Sequence, residues 1–105
     1  MSDELQAAIA AIWQKSIPQS RARLALLQKA ADDLSTTRTI DPEQRTEALD
    51  VAHKLAGSLG MFGFDDATEH ARAIEMTLDH EGLPQPERLQ EQVAALINCM
   101  QPRLE

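Results

Sequence analysis

The sequence predicts an all-α protein: an antiparallel four-helix bundle with an additional N-terminal helix. Three observations carry this expectation. Apolar residues recur at spacings of three and four, and no segment sustains the two-residue alternation of a half-buried strand. Leucine and alanine dominate, and the only aromatic residues are Trp13, Phe62 and Phe64. Proline, glycine and capping residues cut the chain into segments that each carry one apolar stripe. Such helices, joined by short loops, pack as antiparallel neighbours.

The elements follow in order. Ser2 can cap a first helix, with Asp3 and Glu4 favoured by the dipole of its first turn. Leu5, Ile9, Ile12 and Trp13 form its apolar face. Pro18 is expected to end or kink it, because proline lacks an amide hydrogen and clashes with the preceding turn. Ser20 can then cap a second helix bearing Leu24, Leu27, Ala31 and Leu34. The polar, β-branched run Ser35-Thr36-Thr37-Arg38-Thr39 reads as a loop. Asp41-Pro42-Glu43-Gln44 starts a third helix: aspartate caps, proline takes the first helical position, and Gln44 completes a capping box. That helix runs to about Met61. Gly60, Gly63 and Phe64 mark a turn, with both phenylalanines closing the end of the core. Asp66-Ala67-Thr68-Glu69 is a second capping box, opening a helix with Ala67, Ala71, Ile74 and Leu78 that ends by Gly82. Pro84 and Pro86 precede a last helix with Leu89, Val93, Leu96, Ile97 and Met100. Residues 1–101 are expected to form one domain and 102–105 a tail, with Leu104-Glu105 worded like a cloning-junction remnant.

Composition narrows the function. At 105 residues the chain suits one domain with one core, and 43% hydrophobic content supplies it. A net charge of −7 argues against nucleic acid or an anionic membrane as partner. No apolar run reaches membrane-spanning length and no signal segment opens the chain, so a cytoplasmic monomer is expected. Cys99 is the single cysteine, placed in an apolar helical pattern as a core or edge residue.

One stretch carries chemistry: Ala52-His53-Lys54-Leu55-Ala56-Gly57-Ser58-Leu59-Gly60-Met61-Phe62-Gly63-Phe64. On a helical wheel the apolar stripe centres near Ala52 and Leu59, which puts His53 roughly 100° away, at the solvent edge. Gly57 and Gly60 fall one and two turns beyond it, within about 40° of the same direction. A glycine costs a helix interior roughly 1 kcal/mol relative to alanine. Two of them beside one exposed imidazole leave a bare patch, as a site approached by another macromolecule requires. A solvated histidine with glycines serving helix packing is the plainer alternative for each feature taken singly.

A partner for that imidazole follows from counting. If the third and fourth helices form an antiparallel hairpin about Phe64, residues equally far from the turn lie at the same height. His53 precedes Phe64 by as many positions as Glu75 follows it. Glu75 also lies at the edge of its own stripe. A carboxylate there can accept the Nδ1 hydrogen, fix the tautomer and leave Nε2 outward as a nucleophile. Arg72, one turn before Glu75, and Lys54 are candidate charge partners for an anion at His53. The competing chemistries fall away. His70 and His80 form no metal-ligand pair with His53, Asp50-x-x-His53 is a single acidic-x-x-His match where a di-iron bundle needs two Glu-x-x-His motifs and two further glutamates, no phosphate-cradling loop precedes a helix, and Ser58 lacks a separate base. No metal or cofactor is expected.

The wording His53, Leu55, Gly57, Ser58 and Gly63 resembles the signature of the histidine-containing phosphotransfer (HPt) domain family. That family usually has lysine three residues after the histidine, where this chain has Ala56. The resemblance implies a phosphorelay intermediate in two-component signalling. His53 would accept a phosphoryl group from a receiver-domain aspartate and pass it to another. Glu75 would match the family's residue that hydrogen-bonds the histidine. Gly57, Gly60, Ser58 and Ala56 would form the docking surface. The partners implied are receiver domains of response regulators or hybrid histidine kinases, with Mg²⁺ held by the receiver. No independent kinase or hydrolase activity is expected. The competing class is a helical adaptor, or a degenerate HPt domain, that docks partners without carrying phosphate.

Overall fold

The computed structural model describes residues 3–80 and 82–105. Among these, four helices account for nearly all of the backbone: α1 Asp3–Thr37, α2 Pro42–Met61, α3 Asp65–Asp79 and α4 Pro86–Leu104. Each helix packs on two others, α1 on α2 and α4, α3 on α2 and α4, and the diagonal pairs do not meet. The result is a closed antiparallel bundle. Its core is leucine-rich: Leu27, Leu34, Leu55, Leu59, Ile74, Leu78, Leu89 and Leu96 are all at most 2% exposed.

The expected break at Pro18 is absent. α1 is a single helix of 35 residues with Pro18 inside it. Proline removes the amide that would bond to the Gln14 carbonyl. Both residues are exposed, so water can satisfy that oxygen. The stripe Trp13, Leu24, Leu27, Ala31 and Leu34 is buried on both sides of the proline and holds the helix in line. Ser20 is therefore not a cap but a buried helical residue. The helix also continues through Ser35–Thr37, residues expected in a loop. It stops at Arg38, whose φ of 62° is left-handed and whose N–H bonds back to the Leu34 carbonyl at 2.8 Å. Ser2, expected as a cap, lies outside the described residues.

The two capping boxes fare differently. Asp41 accepts the Glu43 N–H at 2.9 Å with Pro42 opening the helix, but the Gln44 amide turns to Asp33 at 2.9 Å instead of closing the box. α3 begins two residues earlier than expected, with Phe64 in place of Asp66 as the residue before it, and the one α3 backbone amide that the Asp66 carboxylate accepts is that of its neighbour Ala67, at 2.8 Å. The reason lies in the turn. Gly63, at φ 78°, forms the left-handed link of a Schellman end to α2. Gly63 N–H bonds to Gly60 O at 3.1 Å and Phe64 N–H to Leu59 O at 3.0 Å. Phe64 O then accepts the Thr68 N–H at 2.9 Å, so α3 follows with no spare residue between.

That turn seals one end of the bundle. Trp13 meets Phe62 at 5.1 Å and Phe64 at 5.0 Å between ring centroids, both edge-on. The Arg103 guanidinium lies 4.6 Å over Phe64 and pairs with Asp66 at 3.0 Å, and the Trp13 indole N–H donates to the Arg103 carbonyl at 3.0 Å. The Cys99 thiol, the Ala67 N–H and Arg103 together hold the Asp66 carboxyl well below its ordinary range, at about 2. Burial pushes the half-buried Cys99 thiol up. The residues expected as a tail belong to this assembly. α4 runs past Pro102 to Leu104, which is 5% exposed and whose carbonyl accepts from Arg21. At the other end, Arg45 of α2 donates to the carbonyls of Leu78, His80 and Gly82, tying down the C-terminus of α3.

Candidate functional site

α2 and α3 pack side by side along a register set by the tight turn between them. A Cβ placed on Gly60 would lie 3.7 Å from Thr68 Oγ1. Further from the turn, His53 Nδ1 lies 2.6 Å from Glu75 Oε2. The residue numbers in both pairs share one sum, as an antiparallel hairpin demands. The structure thus brings together the two side chains that the count from Phe64 pairs.

The geometry of the pair fixes its chemistry. The His53 side chain is 73% exposed and that of Glu75 28%. A carboxylate only accepts, so in the neutral ring the shared proton sits on Nδ1 and the Nε2 lone pair is the available nucleophile. The ring that carries Nε2 is largely open to solvent. The groove between α3 and α4, lined by Met76, Leu83, Arg88 and Gln92 among others, does not include His53 or Glu75. Among the described residues no cluster of histidine, cysteine and carboxylate side chains is arranged to hold a metal. No helix among them is long and apolar enough to cross a membrane.

The Hpt domain family model matches residues 4–101. The chain belongs to the Hpt domain family. Protein RcaC of Microchaete diplosiphon is 38% identical over 88 residues, which cover 84% of this chain and 13% of that protein. The chain therefore matches a small part of that relative. No solved structure matches it. As an Hpt domain the chain has a phosphotransfer role in two-component signalling, and domains of this family interact with receiver domains.

The other candidate residues of this Hpt domain separate on inspection. Gly57 and Gly60 are exposed and flank His53, and a Cβ on Gly57 would meet nothing within 4 Å. Ala56 is only 6% exposed, so it floors the site instead of presenting itself to a partner. Ser58 is half-buried and lies roughly 140° around α2 from His53. Lys54 and Arg72 do not share an environment. Lys54 Nζ is held by Asp50 Oδ2 at 2.9 Å, one turn back on its own helix, whereas Arg72 is exposed and makes no ion pair among the described residues. Sequence reasoning missed two exposed apolar residues of the hairpin. Met61 is 74% exposed and Met76 73% exposed, large apolar side chains that the core does not use. Their signal was their position off the apolar stripes of α2 and α3.

Proposed function

We propose that this domain is a phosphorelay intermediate with His53 as its phosphoacceptor. His53 Nε2 attacks the phosphorus of a receiver aspartyl phosphate. The N–P bond forms, the acyl P–O bond breaks, and the aspartate carboxylate leaves. Glu75 keeps the proton on Nδ1, so electron density is directed to Nε2, and it stabilises the positive charge that the ring gains as the bond forms. The reverse step delivers the phosphoryl group to the aspartate of a second receiver. The observation that carries this reading is the 2.6 Å Nδ1–Oε2 contact on a ring that is otherwise open to solvent. The docking surface combines the glycine-bared strip beside His53 with the exposed Met61 and Met76. A receiver can bring its own metal and acidic pocket to such a flat face.

The test is incubation with a receiver domain phosphorylated beforehand. Transfer should yield acid-labile, alkali-stable phosphate on this chain, and none on the His53→Gln variant. A chain that binds the receiver yet gains no phosphate would be an adaptor and not a relay.

A further inference from the structure

The orienting group at His53 is an anion, and so is the group that His53 would carry. A phosphoryl group brings about −1.5 to −2 charges at neutral pH. It would sit on a ring held by the Glu75 carboxylate, in a chain whose net charge is already −7. A cation within reach would relieve that repulsion. Lys54 is a poor source, since it is engaged by Asp50 and lies about 100° around α2 from His53.

Arg72 is better placed. The register given by His53 with Glu75 and Gly60 with Thr68 puts Arg72 opposite Ala56. That is one turn from His53, about 4.5 Å along the helix axis. Around α3, Arg72 lies roughly 60° from Glu75 and roughly 40° from Thr68, on the side away from buried Ala71 and Ile74. It therefore flanks the same solvent-facing seam as His53. Ala56 leaves that seam low, because its side chain is a buried methyl group. An extended arginine can bridge most of the ~8–10 Å between packed helices. Arg72 is exposed and its guanidinium has no ion pair among the described residues, so reaching over costs no existing bridge.

Resting on the reading of His53 as phosphoacceptor, we infer that Arg72 is the phosphoryl-binding cation of this site. Its planar fork donates two hydrogen bonds to the non-bridging oxygens of the group on Nε2, in the transition state and in the phosphohistidine. The charge is supplied from α3, across the seam, and not from the helix that bears the histidine.

Phosphoramidate as donor tests this without a partner protein. His53 Nε2 attacks its phosphorus and ammonia leaves. Arg72→Gln should be phosphorylated roughly tenfold more slowly, the scale expected for losing a hydrogen bond to a charged group. Its phosphohistidine should also have a different half-life. Arg72→Lys should fall between the two, keeping charge but losing the fork. Arg88→Gln, the same charge change on distant α4, should match wild type, and circular dichroism should show all variants equally helical. Equal rates for wild type and Arg72→Gln would overturn the assignment while leaving His53 as acceptor intact. An equal slowing by Arg88→Gln would also overturn it, since net charge would then be the cause. Absence of phosphohistidine in the wild type would instead bring down the underlying reading of His53.

Discussion

At the α2–α3 turn, Trp13, Phe62 and Phe64 meet with centroids 5.0–6.0 Å apart, roofed by Arg103 and locked by its bridge to Asp66. About two and a half turns along α2, His53 stands 73% exposed beside two glycines, with one hydrogen bond to its name. Both regions belong to the same helical hairpin. The first brings Trp13 of α1, Asp66 of α3 and Arg103 of α4 onto the turn, burying the indole and half-burying both phenylalanines. The second rests on two helices and leaves its reactive atom uncovered. The difference separates the groups that hold the fold from those that would carry the chemistry, so substitutions in the two regions should produce different kinds of loss.

The largest effect expected is at the open region. His53→Gln should abolish phosphoryl acceptance altogether, while its unfolding free energy stays within about 0.5 kcal/mol of wild type, as for most surface changes. Chemical denaturation alongside the transfer assay checks both halves. A markedly destabilised variant would mean that the histidine also supports the bundle and that the separation is false.

Trp13→Ala is the mirror image. Truncating a buried tryptophan costs about 3–5 kcal/mol, and here it also orphans the Arg103 carbonyl and opens the face of both phenylalanines. The variant's folded fraction should still accept phosphoryl at the wild-type rate. Loss of acceptance in molecules shown to be folded would tie the sealed end to the site.

Glu75→Ala should act on rate alone. The nucleophile remains, but its tautomer and rotamer are no longer held, and a roughly tenfold slowing is expected from one charge-assisted hydrogen bond. Glu75→Gln should be milder, because the amide oxygen can still accept from Nδ1. Two variants indistinguishable from wild type would show that the 2.6 Å contact is not used.

Much of this division was legible in the sequence, and the misses share a cause. Helical stripes are repeated many times over, so the four core-forming faces read clearly from spacing. The His53–Glu75 pair read clearly because a tight turn converts counting along the chain into height along the hairpin. Pro18 and Pro102 misled because the proline penalty is local, a single lost hydrogen bond and a clash, whereas burial of the flanking residues is cumulative. Leu104 in fact continues the Leu96 and Met100 stripe in steps of four, a signal that Pro102 masked. Asp66 failed as a cap because the backbone of the preceding Schellman turn had already set where α3 begins. The engagement of Lys54 was readable as an i, i+4 pair with Asp50, but charge partners on a surface compete at similar small energies. The staple from Arg45 to the end of α3 had no sequence signal, since its acceptors are backbone carbonyls of any residue type.

The smallest effect expected, and the most diagnostic in sign, is at Gly57. Nothing intramolecular requires glycine there: it sits inside α2, carries no left-handed φ, and a Cβ would enter open space. Helix propensity alone therefore predicts that Gly57→Gln is stabilised, by up to about 1 kcal/mol. The long side chain would nonetheless stand about 40° from His53 and one turn away, in the strip that a receiver must cover. Phosphorylation by phosphoramidate, which needs only Nε2, should be unchanged, while transfer from a phosphorylated receiver should slow several-fold, as expected when about 1 kcal/mol of docking is lost. A stability gain with slower receiver transfer places the glycine in the service of the partner and not of the fold. If both donors act on Gly57→Gln as on wild type, the bared strip is not where a receiver sits, and docking must centre on the exposed methionines instead. If the small donor slows too, the substitution disturbs His53 itself, and the strip and the histidine cannot be treated as separate parts of the site.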